Sequence, residues 1–93
     1  LSQGVVARAS AVLVMAGVFQ RSRQKYGERS YRYVLIECGH IAQNVYFAAT
    51  SMGLGACAVG AFLDDEVNGL LGLDGEEEAA LYLVCIGNPQ PPV

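Results

Sequence analysis

Apolar and polar positions fall into distinct blocks along the chain, each with its own period. Ser10–Phe19 (SAVLVMAGVF) is an unbroken, Val-rich apolar run. A half-exposed strand would alternate, so this run predicts a strand buried on both faces. Leu1–Arg8 before it reads as the last turns of a helix. Gln20–Ser30 (QRSRQKYGERS) is polar, basic and broken by Gly27, which predicts a loop with at most one helical turn.

From Tyr31 to Met52 the pattern turns helical, with Gly39 the one weak point. Such a helix would be about 33 Å long. Glu37, His40, Asn44 and Ser51 form a narrow polar stripe, and most of the remaining circumference is apolar. A helix so nearly apolar all round is a central buried helix or a membrane span. Glu, His, Gln and Asn in its middle exclude the span, since each is costly in lipid. A central, intersubunit helix is therefore expected.

Gly53-Leu54-Gly55 should end that helix. Ala56–Phe62 is a short apolar strand or turn with Gly60 in its middle. Asp64 is placed to N-cap a short helix, with Asp65 and Glu66 favouring its dipole. Val67, Leu70 and Leu71 would form its buried face, and Gly72 would stop it. Asp74–Glu78 reads as an acidic surface loop, Ala79–Gly87 as a second buried strand. Asn88-Pro89 and Pro91-Pro92 end regular structure. The order predicts an α/β or α+β domain, a sheet with helices packed on it.

Composition adds one constraint. Of 93 residues, 53% are apolar and 16% charged, more apolar surface than a chain of this size hides by itself. Part of it is expected to face another chain or a further part of the same one. The chain begins at Leu1 with its first methionine at Met15, as expected of a fragment or processed product. No secretory signal pattern opens it. The net charge of −3 argues against a nucleic-acid surface, which needs a basic stripe. Cys38, Cys57 and Cys85 are odd in number, widely spaced and set in apolar runs. They are expected to be buried free thiols in a reducing cytoplasm.

Dinucleotide fingerprint, P-loop, zinc-protease and nucleophile-elbow motifs are all missing from the sequence. A single His cannot build a His-rich metal site, so no metal is expected. Glu37 and His40, one helical turn apart, read as a structural hydrogen-bonded pair.

Four segments together carry a resemblance: Tyr31-Arg32-Tyr33, Glu37–Asn44 (ECGHIAQN), Ala48–Cys57 (AATSMGLGAC) and Gly60–Phe62 (GAF). With the LLGLDG stretch before the last strand, they resemble the C-terminal half of the nitroreductase superfamily. Within it the similarity runs toward the SagB-type dehydrogenases, which oxidise peptide azolines to azoles. Residues 1–93 would then be that half, with the N-terminal half outside the chain. The resemblance implies an α+β fold with a mixed or antiparallel sheet, a long central helix at the interface of a homodimer, and FMN in a cleft at that interface. It implies that the backbone at Val59, Gly60 and Ala61 approaches the flavin's N5 edge. Small residues there would let backbone N–H groups come close to a planar ring.

The azoline oxidases carry an adjacent Lys-Tyr pair before the long helix, and this chain has Lys25-Tyr26 at the matching place. Azoline oxidation removes a proton from carbon and sends a hydride to flavin, and Lys25 and Tyr26 would serve as the base. If they do not act, the implied alternative is an NAD(P)H-dependent nitro or quinone reductase. One family feature is missing. No Arg-rich phosphate motif precedes the first strand, and Asn88–Val93 holds no Arg or Lys. This chain alone is expected to hold FMN weakly or not at all, because a phosphate needs cationic partners. A rival expectation is a flavin-free companion subunit that keeps the dimerisation helix.

Overall fold

The computed structural model describes residues 4–89; the Pro91-Pro92 stop lies outside them. A short helix α1 (Gly4–Arg8) leads into strand β1 (Ala11–Val18). Helix α2 (Phe19–Tyr26) and a 3₁₀ turn (27–29) then feed the long helix α3 (Ser30–Ser51). Strand β2 (Gly55–Val59), helix α4 (Asp64–Leu71) and strand β3 (Glu78–Gly87) complete the order. The sheet is antiparallel throughout, in the order β1-β3-β2. The fold is α+β with an antiparallel sheet, as the resemblance implies, and this decides between the two classes the element order allows.

β3 is central and most deeply buried, with Leu83 and Val84 essentially inaccessible. Leu83 pairs with Val59 across β2 and Val84 with Ala58, so alternation sends them to opposite faces. One face holds Val59, Leu83 and Cys85 under Val6, Ala9, Val12 and Phe62. The other carries α3, where the Cys38 thiol reaches the Met15 sulfur at 3.7 Å. Between Met15 and Ala16 the register slips. Met15 pairs with Tyr82 and Ala16 with Ala80, so Leu81 is the extra residue of a β-bulge. Leu81 and Val34 fill the space that a side chain at Gly17 would need.

Four details differ from the sequence-based expectations. β1 is an edge strand with Leu13 and Val14 exposed, not a strand buried on both faces. The basic stretch after it is helix α2 and a 3₁₀ turn, not a loop. Buried Phe19 stacks on Tyr31 at 5.4 Å and anchors α2 to α3, a tertiary contact that periodicity does not report. At α4 the N-cap position is Leu63, and Asp64 already lies in the first turn. The acidic first turn still complements the dipole. Val67 is buried as expected, but Leu70 is 79% exposed and Leu71 also faces outward.

α3 is buried along one stripe through Cys38, Ala42 and Ala49. Its far side exposes Ile36 and Phe47, eleven residues or about three turns apart. Within a single chain the helix is therefore half-covered rather than central. The accessible surface of 6458 Å² exceeds the roughly 5200 Å² of a compact monomer of this mass. Among the described residues no helix is long and apolar enough to cross a membrane.

Candidate functional site

The turn at Val59–Ala61 is fixed from its N-terminal side. α3 ends with Gly53 in the left-handed conformation (φ 74°). The Gly53 N–H donates to the Thr50 carbonyl at 3.0 Å and the Leu54 N–H to the Ala49 carbonyl at 2.8 Å. This Schellman closure satisfies the last helix carbonyls and sets the direction in which the chain leaves. β2 follows at once and pairs along β3 from Gly55↔Gly87 to Val59↔Leu83. The Val59 side chain is 4% exposed and locked into the core. Gly60 and Ala61 emerge exposed just beyond the strand.

Gly60 has no internal reason to be glycine. Its φ is not positive, and a Cβ built there would meet only the Tyr82 ring, at an ordinary 3.8 Å. Gly17 differs, since a Cβ there would lie 2.8 Å from both Leu81 and Val34. A side chain is sterically tolerated at Gly60, and its lack of one fits the close approach of a planar group to the backbone.

Lys25 and Tyr26 end α2, and both are exposed. Tyr26 packs edge-on against Tyr33 of α3, with ring centroids 4.9 Å apart. The Lys25 ammonium sits over the Tyr26 ring, 5.2 Å from its centroid, a weak cation–π contact at an exposed site. The pair is thus tied to the first turns of α3. β2 is tied to the same helix at Tyr46, thirteen residues beyond Tyr33 and so about 20 Å along the axis. Within one chain the structure does not bring Lys25-Tyr26 and Val59–Ala61 together.

Of the three thiols, Cys38 and Cys85 are buried and Cys57 is exposed, which corrects the expectation of three buried ones. Burial pushes the Cys38 thiol's pKa up. It does the same at Cys85, where nearby Cys57 adds to the effect. Glu37 and His40 are both exposed on α3 and do not form the buried pair expected of them. Among the described residues no three His, Cys, Asp or Glu groups converge as metal ligands.

Three residues of structural weight escaped the sequence reading. The Tyr46 hydroxyl accepts the Ala58 N–H at 2.6 Å. The buried Asn68 amide oxygen accepts the Ala80 N–H at 2.8 Å. One Asp74 oxygen accepts the N–H groups of Glu76, Glu77 and Glu78. Asp74-Gly75 carried a turn signal; nothing in the local sequence marked Tyr46 or Asn68.

A three-stranded antiparallel sheet backed by a long half-exposed helix, with a small-residue turn beyond β2, defines an α+β unit. The nitroreductase family profile matches residues 1–88, and the chain belongs to that family. A nitroreductase-family protein of Methanocaldococcus jannaschii is 45% identical over 87 residues, covering 94% of this chain and 42% of its own length. The NADPH:FMN oxidoreductase of Vibrio harveyi, solved in complex with NAD⁺, is 31% identical at TM-score 0.74. That match covers 89% of this chain and 39% of the oxidoreductase. The Escherichia coli microcin synthetase McbBCD, solved with truncated pro-MccB17 bound, is 29% identical at TM-score 0.80. There the match covers 86% of this chain and 30% of the other. The chain thus spans about two fifths of the curated relative it matches.

Proposed function

We propose that this chain forms the flavin-ring wall and dimerisation helix of an FMN-dependent oxidoreductase. One observation carries the reading. Gly60 stands at the end of a firmly anchored strand where a Cβ would make only an ordinary contact with the Tyr82 ring, and no clash or positive φ among the described residues explains that choice. FMN, when bound, would supply the two-electron hydride chemistry. This chain would supply backbone beside the ring at Val59, Gly60 and Ala61, with the Gly60 N–H turned toward it, and apolar surface that excludes water.

The exposed side of α3 supports a second copy as its cover. Ile36 and Phe47 face outward. Gly39, mid-helix, has open space where a Cβ would stand, with nothing within 4 Å, although glycine there costs about 0.5–1 kcal/mol relative to Ala. A closely approaching partner helix would account for both. The same pairing would resolve the separation along α3, with Lys25-Tyr26 of one copy serving the turn of the other. Free thiols at Cys38, Cys57 and Cys85 suit a reducing cytoplasm.

The Lys25-Tyr26 pair favours a peptide azoline as substrate. Lys25 or Tyr26 would take the proton from carbon, and the hydride would leave to the flavin. The microcin synthetase solved with a truncated precursor bound is a relative in keeping with a peptide. An NAD(P)H-dependent reductase of nitro or quinone compounds is the second reading, favoured by the likeness to the NADPH:FMN oxidoreductase.

The deciding experiment is the visible spectrum of the full-length protein. A yellow protein whose flavin band bleaches on reduction is expected. A colourless protein that takes up no added FMN would refute the reading and favour a flavin-free companion subunit. Lys25→Ala should then abolish azoline oxidation with FMN still bound; unchanged turnover would remove the base assignment.

A further inference from the structure

We infer that Tyr46 is a positioning residue for the Val59–Ala61 turn, an inference that rests on the flavin reading above. Among the described residues β2 is an edge strand, paired with β3 on one side. An edge presents a row of unpaired amides and is free to shift laterally. At Ala58 this edge is closed by a side chain, because the Tyr46 hydroxyl accepts the Ala58 N–H at 2.6 Å. The donor lies one residue before Val59 and two before Gly60.

Three anchors then bear on the same short strand. The Schellman closure at Gly53 and Leu54 holds its start. Val59, packed against Leu83, holds its last residue from one face. Tyr46 reaches its outer edge from α3, on the other face. Tyr46 thereby anchors that outer edge between the Gly53 turn and Val59.

Direction matters as well as rigidity. Successive amides in a strand point to opposite edges. Carried one step past the strand, the alternation that turns Ala58 outward turns the Gly60 amide to the same edge. The phenol oxygen and the Gly60 amide therefore share one edge, about 7 Å apart at strand spacing. A ligand held by the Gly60 N–H depends on where Tyr46 holds that edge. Because Tyr46 sits on the helix proposed to meet a second copy, it would also couple the position of α3 to that of the turn.

The test uses the full-length protein loaded with FMN and the variant Tyr46→Phe, which keeps the ring and removes the acceptor. Ala58 should lose amide-exchange protection with or without flavin. FMN dissociation should rise about three- to tenfold, the scale of one lost hydrogen bond. The midpoint potential of bound FMN should move to more positive values, since a looser N–H donor at N5 stabilises the oxidised ring less. Asn68→Ala serves as a control that weakens α4–β3 packing without touching β2, and it should leave the potential unmoved.

If Tyr46→Phe leaves Ala58 protection, FMN affinity and potential at wild-type values, the inference is overturned. An equal shift of potential in both variants would overturn it too, by showing general loosening rather than positioning. A wild-type protein that takes up no FMN would remove the flavin reading itself, a failure visible before any variant is made.

Discussion

The Asn68 side-chain oxygen accepts the backbone N–H of Ala80 at 2.8 Å, and both residues are buried. This one bond fastens α4 to the first part of β3, below the bulge at Leu81. Asn68→Ala would leave a buried N–H without a partner, a loss of about 1–3 kcal/mol. Urea denaturation of the full-length protein measures it; a loss under about 0.5 kcal/mol, the scale of a neutral surface substitution, would show that the bond carries no weight.

Gly17 is small for steric reasons. A methyl group there would lie 2.8 Å from both Leu81 Cδ1 and Val34 Cγ1. Leu81 can swing aside, but Val34 is β-branched and stiff. Gly17→Ala is expected to lower stability by about 1–3 kcal/mol through overpacking, read in the same denaturation experiment. Gly60→Ala, with only the Tyr82 ring at 3.8 Å, should fold as well as the wild type.

Asp74 gives the acid limb a definite sign. Its carboxylate accepts three backbone N–H bonds, from Glu78, Glu76 and Glu77, which hold its pKa below the ordinary carboxylate value. The stabilisation is complete above the unfolded carboxylate pKa and is lost as pH falls through the lower folded value. Asp74→Asn, which cannot ionise, should flatten the decline of melting temperature below about pH 4. Identical acid limbs in the two proteins would contradict this.

Thiol labelling separates the cysteines. Cys57 is exposed, whereas Cys38 and Cys85 are buried with raised pKa values. Thiolate is the reactive form, so in the native protein an alkylating reagent should modify Cys57 first and the other two only on unfolding. Mass spectrometry of partially labelled protein reads the order.

Much of the architecture was legible in the sequence, and the misses share a cause. The 30–51 helix announced itself through its composition and the Gly53 stop, and the 78–87 strand through its unbroken apolar run. α2 did not, because Gln20–Lys25 has no apolar period; Phe19 stacking on Tyr31 and Tyr26 packing on Tyr33 hold it. β1 looked doubly buried because its apolar run is continuous, yet it lies at the sheet edge with Leu13 and Val14 open. Leu70 and Leu71 are the same case at α4. Sequence records that a side chain is apolar, and only the assembled surfaces decide what covers it. For the candidate site, the small residues of the turn were visible, but the anchor at Tyr46 was not, since a tyrosine among apolar helix positions reads as packing.

The proposed two-copy site makes its own prediction. Co-expressed Lys25→Ala and Gly60→Val subunits should form mixed dimers with one intact site, if each site takes Lys25 from one copy and the turn from the other. Random pairing then restores about a quarter of wild-type azoline oxidation. No recovery above the two parent variants would place both groups in the same copy.

The central claim is that the turn beyond β2 lies against a flavin, and FMN titration of full-length wild type and Gly60→Val tests it most directly. A Cβ at Gly60 meets only the Tyr82 ring, at 3.8 Å, and circular dichroism and melting temperature establish that the variant is folded before its affinity is compared. Wild type is expected to bind FMN, and Gly60→Val to bind it at least about tenfold more weakly, roughly 1.4 kcal/mol. Equal FMN affinity in the two proteins would contradict the claim.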